Sequence, residues 1–97
     1  MPHYISVLMP LNAGGWRALF PDVPECEVQG DSLDITVLRA AGALTECVER
    51  RFGDLPPSPR QLSEIKADSN WATQHDIDWA QAVVTMVPLR AGYGQRT

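Results

Sequence analysis

Four carboxylates lie near one proline-rich bend: Asp22, Glu25, Asp31 and Asp34, in and after the run Phe20-Pro21-Asp22-Val23-Pro24-Glu25-Cys26. Acidic side chains gathered in one place can serve two chemistries. Converging on divalent cations, they support phosphoryl transfer. Spread over a surface, they attract a basic partner, raise its rate of encounter and fix its register. The second reading makes Asp22, Glu25, Asp31 and Asp34 the candidate partner-binding residues. Part of the set also has structural uses. Asp31 and Asp34 suit a helix start, and Asp22 suits a turn. Asp22 and Glu25 are the two charges the fold does not obviously require.

The remaining reactive side chains are dispersed. His3 and His75 have no cysteine or carboxylate companion at ligand or triad spacing, so both read as surface residues. Cys26 and Cys47 are twenty-one residues apart with no CxxC, which gives neither a zinc site nor a disulfide framework. Two small buried thiols in a reducing compartment are expected instead. No catalytic residue, cofactor or metal is expected.

With 97 residues, 44% of them apolar, the chain is long enough for one domain with a modest core. The net charge is −4, and the eight basic residues are scattered, with no basic stripe to meet phosphate. No apolar run approaches the roughly 20 residues of a membrane span. The N-terminus lacks the basic and apolar regions of a signal peptide. The cytoplasm is the expected compartment.

The elements that must position these residues follow from local pattern. Tyr4 to Met9 alternates as a strand, with Ile5, Val7 and Met9 on one face and Tyr4, Ser6 and Leu8 on the other. Gly14-Gly15 turns the chain into a second strand, Trp16 to Phe20, as an antiparallel hairpin. Pro21 and Pro24 forbid ladder donation and make a bend, after which Cys26 to Gln29 returns as a short third strand. Asp31 or Ser32 caps a long helix running to about Phe52, and Gly53 ends it. Leu33, Val37, Ala40, Ala41, Leu44, Val48 and Phe52 form its apolar face, with Cys47 beside them. Ser58-Pro59-Arg60-Gln61 starts a short helix to about Lys66 or Ala67, with Leu62 and Ile65 inward. Residues 67 to 77 read as irregular, and Ala80 to Val87 as a last strand ended by Pro88.

The order β-β-β-α-β predicts an α+β two-layer sandwich. Its four-stranded sheet has the order 3-2-1-4, with the long helix on one face. A helical crossover would bring the last strand in parallel beside the first, making the sheet mixed. Residues 1–88 form the single domain, and 89–97 a flexible tail.

In order, Tyr4 opens a strand, Phe20-Pro21-Asp22-Val23-Pro24 ends the next, and Cys26 follows. Gly30-Asp31-Ser32-Leu33 then opens a helix with Ala40, Ala43 and Leu44, and Leu55-Pro56 and Pro59 come after it. This ordered set resembles the N-terminal domain of the HicB-like antitoxin family, over roughly residues 4 to 88. Three departures stand out. Glu25 occupies a position that is usually glycine, and Asp34-Ile35-Thr36 replaces an acidic pair and alanine. Only nine residues follow Pro88, too few for the DNA-binding segment that many members carry.

The resemblance implies a partial RNase H-like fold and an antitoxin. It would bind a small basic HicA-like ribonuclease toxin and block that toxin's access to mRNA. In that setting, the four carboxylates would mimic RNA phosphate. The resemblance also implies a homodimer or higher homo-oligomer. The alternative is a stand-alone regulatory or assembly module without a toxin. An RNase H-like topology invites a metal-nuclease reading as well, but no residue from Tyr4 to Met9 is acidic, so an enzyme is not expected. Direct DNA binding is not expected either.

Trp16 reads as packed. Trp71 and Trp79 suit either a cover over the sheet or a subunit interface. Of the two edge strands, the more apolar last one is the better candidate for self-association.

Overall fold

The computed structural model describes residues 3–53 and 55–89. Strands β1 (His3–Pro10), β2 (Trp16–Leu19) and β3 (Glu27–Gly30) are followed by helix α1 (Leu33–Phe52). Two short helices, α2 (Leu62–Lys66) and α3 (Ser69–Gln74), precede strand β4 (Val83–Pro88). The sheet has four strands in the order β3-β2-β1-β4. Fold class, strand order and the bounds of the long helix agree with the sequence reading.

The sheet is antiparallel throughout, which corrects the expected mixed sheet. β4 runs against β1, with His3 opposite Pro88 and Leu8 opposite Val83. The reason lies in the chain between α1 and β4. One helical crossover would return the chain to the end where a parallel strand begins. Here α2 and α3 carry it back along the sheet a second time, so β4 enters from the opposite end.

This return also covers the second face of the sheet. One core joins Tyr4, Leu8, Ala18, Phe20 and Val23 to Ala40, Leu44, Cys47 and Val48 of α1. A second core on the other face joins Ile5, Val7 and Leu19 to Ile65 and Trp71. β1 is therefore buried at every position from Tyr4 to Met9. Trp71 and Trp79 lie 6.3 Å apart between ring centres and cover this face, which settles their place within the chain. α3, capped by Asp68 accepting from the Trp71 backbone, occupies part of the stretch expected to be irregular. α2 starts later than expected. Gln61 and Glu64 form its capping box, in place of Ser58 and Pro59.

Two glycines permit close approaches, one within the sheet and one between sheet and helix. A Cβ on Gly15, whose φ is +88°, would stand 2.7 Å from the Gly30 carbonyl oxygen. A Cβ on Gly30 would stand 2.6 Å from Thr36 Oγ1. The first turn of α1 thus rests directly on the end of β3. Ser32 caps that turn, accepting from the Ile35 backbone at 3.3 Å, and Gly53 closes the helix with its N–H donating to the Glu49 carbonyl. Leu89 is buried in the first core, and the rest of the expected tail lies outside the described residues.

Candidate interaction surface

The four sequence-predicted carboxylates do not converge. Asp22 and Glu25 occupy the bend between β2 and β3, while Asp31 and Asp34 stand beyond the other end of β3, at the start of α1. The four residues of β3 separate the pairs, about 13 Å at the usual rise of a strand.

Asp22 is part of the architecture. Its side chain is 6% exposed and accepts from the Arg60 backbone N–H at 2.9 Å and from Arg60 Nε at 2.6 Å. The same guanidinium donates to the Pro21 carbonyl at 3.2 Å and to Asp68 Oδ2 at 3.4 Å. These bonds tie the proline bend to the segment leading into α2. The hydrogen bond that Arg60 donates to Asp22 is the main influence holding the Arg60 pKa above its ordinary value, and desolvation opposes it. Tyr4 reinforces the same junction by donating its hydroxyl to the Pro57 carbonyl.

Glu25 pairs with Arg51 at 2.8 Å, where both side chains are substantially exposed. Such a pair contributes little, about 0–1 kcal/mol. Asp31 and Asp34 are exposed. Asp34 sits in the first turn of α1, where its charge complements the helix dipole.

Beside Asp31 and Asp34, α1 displays apolar residues that the sequence reading left unassigned. Ile35 is 41% exposed and Leu38 is 73% exposed. At spacings of three and four, Ile35, Leu38 and Gly42 share one side of the helix. Asp34 precedes Leu38 by one turn, Asp31 lies just before the Ser32 cap, and a Cβ on Gly42 would meet nothing within 4 Å. Exposed Glu46 follows Gly42 by one turn. The result is an apolar centre with carboxylates at both ends and the exposed Arg39, which donates to the Gln29 carbonyl, at its side. Its sequence signal was the helical wheel: Ile35 and Leu38 fall outside the buried stripe of α1, where polar residues are the rule.

A second feature is an open depression of about 420 Å³ between the β1–β2 turn and the segment after α3, lined by Met9, Asn12, Arg17, Asp76, Asp78 and Gln81 among others. Two of its charged groups, Arg17 and Asp78, are already engaged. Arg17 donates to the His75 carbonyl and approaches Glu27 at 4.0 Å, and Asp78 accepts from the Ala80 backbone. Among the described residues, no group of three or more histidine, cysteine or acidic side chains could hold a metal ion. Nor is any described helix long and apolar enough to cross a membrane.

Cys26 and Cys47 meet in the first core, although they are far apart in sequence. Burial, and then the neighbouring Cys47, push the Cys26 thiol far above its ordinary value. Arg50 approaches the Cys47 sulfur at 3.9 Å.

Neither a protein-family model nor a curated protein matches the chain.

Proposed function

We propose that this chain is a binding protein of the antitoxin kind, which neutralises a small basic ribonuclease by covering its RNA-binding surface. The observation that carries this reading is the outer side of α1. An apolar centre at Ile35 and Leu38 with an acidic border has the anatomy of a protein interface and the sign that suits a basic partner. The strand and helix order found here is also the order that the resemblance to HicB-like antitoxins implies. Inhibition by occlusion needs only stoichiometric binding, so no catalytic group is assigned to this chain. The reading places it in the cytoplasm, with mRNA and its nuclease.

The test is whether a reading frame for a small basic protein lies beside this one, and co-expression with that protein. Rescue of growth and a stable complex of the two chains are expected. Failure of both would remove the antitoxin reading. What would then remain is the alternative, a regulatory or assembly module without a toxin.

A further inference from the structure

Cys26 and Cys47 take no part in the interface on α1, yet the fold brings them together at one junction. Cys26 ends the proline bend, directly before β3, and Cys47 lies in the last two turns of α1. Both thiols are free and share the first core. The backbone around them is held in place. The Cys26 N–H donates to the Val23 carbonyl at 2.9 Å. Glu25, next to Cys26, pairs at 2.8 Å with Arg51, one turn beyond Cys47. The Cys47 side chain stands within hydrogen-bonding reach of Cys26.

The two sulfurs differ in setting. Cys47 is 7% exposed and Cys26 only 1%. Arg50 Nη2 stands 3.9 Å from the Cys47 sulfur, and its charge favours a thiolate there. Cys26 lies deeper, where burial keeps the proton on its sulfur. One thiol closer to solvent beside a cation, with a second behind it, is the arrangement of an attacking and a resolving cysteine.

We propose that Cys26 and Cys47 form a peroxide-responsive site that closes to an intramolecular disulfide. The Cys47 thiolate attacks one oxygen of hydrogen peroxide. The S–O bond forms, the O–O bond breaks, and the departing hydroxide takes up the proton that Cys47 released, giving water. The Cys26 sulfur then attacks the sulfur of the Cys47 sulfenic acid. The S–S bond forms, the S–O bond breaks, and hydroxide leaves with the Cys26 proton as a second water. Two thiols are oxidised and one peroxide is reduced, with no further reactant. A dithiol reverses the change through a mixed disulfide.

The bridge joins residues twenty-one apart and fastens the end of α1 to the bend from which β3 starts. It restricts the unfolded chain, so the oxidised protein has the more stable fold. The site thereby converts exposure to peroxide into resistance to unfolding. Ile35 and Leu38 lie more than two turns away along α1, so the change leaves them in place.

Treatment of the reduced, folded full chain with hydrogen peroxide tests the proposal. The intact mass should fall by two hydrogens and both free thiols should disappear. A peptide map should join the Cys26 peptide to the Cys47 peptide within one chain. The melting temperature should rise by about 10 °C or more and return on addition of dithiothreitol. In Cys26→Ser, the Cys47 sulfenic acid should persist and be captured by dimedone. In Cys47→Ser, Cys26 should react at least about tenfold more slowly than Cys47 does in Cys26→Ser. Thiols that stay reduced until urea unfolds the chain would overturn the proposal. So would a bridge formed only between chains, oxidation that stops on one sulfur of the wild type, or a bridged protein that melts lower. These four outcomes are read on the wild type, so they do not depend on either variant folding or on any partner.

Discussion

Asp22 and Cys26 show what the proline bend is for. Asp22 accepts two hydrogen bonds from Arg60, thirty-eight residues away, at a nearly buried position. Asp22→Ala leaves the Arg60 backbone N–H without this acceptor, and should lower stability by about 1–3 kcal/mol in urea unfolding. Asp22→Asn keeps an acceptor and should lose less; equal stability of all three proteins would deny the tie. This role could not be read locally, because nothing in the sequence near Asp22 announces Arg60. The burial of Cys26 was legible, but its meeting with Cys47 was not, because no spacing rule links a bend to the end of a long helix. In the folded protein the Cys26 thiol is held protonated well above its ordinary value of 9.0. The unfolded chain releases that proton first as pH rises, so the stability contributed is whole below about pH 9 and declines above it. Cys26→Ala should flatten this decline in urea midpoints taken from about pH 8 to about pH 10.5. An unaltered slope would contradict the assignment.

At the scale of elements, β1 and α1 were legible because their patterns are long and regular. The capping pair Ser32 and Gly53 fixes the ends of α1, and its buried stripe fixes its orientation. Ser32→Ala should cost about 1 kcal/mol. Gly30→Ala is expected to cost more, about 1–3 kcal/mol, because the new methyl would press on buried Thr36, whose hydroxyl is bonded to the Ser32 carbonyl at 2.7 Å. Thermal unfolding of the two variants side by side checks the order. The direction of β4 was not legible from α1 alone. It depends on how often the chain crosses the sheet, and the short helices α2 and α3 give only weak periodic signals. One clue was available: β1 is apolar on both faces, which calls for a second cover that a single helix cannot supply.

At the scale of the whole molecule, the four predicted carboxylates fall into three settings. Asp22 is structural, Glu25 is in an exposed ion pair, and Asp31 and Asp34 border the apolar side of α1. A surface of this kind places its binding energy in few residues, and the apolar centre should dominate over the charged border. The most direct measurement is the affinity of the chain, wild type and Leu38→Asp, for the proposed partner, a small basic ribonuclease, by titration calorimetry. Leu38 is largely exposed, so the substitution should spare the fold. Tight one-to-one binding by the wild type is expected, with a loss of about 30-fold or more, equivalent to about 2 kcal/mol, in Leu38→Asp. Wild-type affinity retained by Leu38→Asp would contradict an interface on α1.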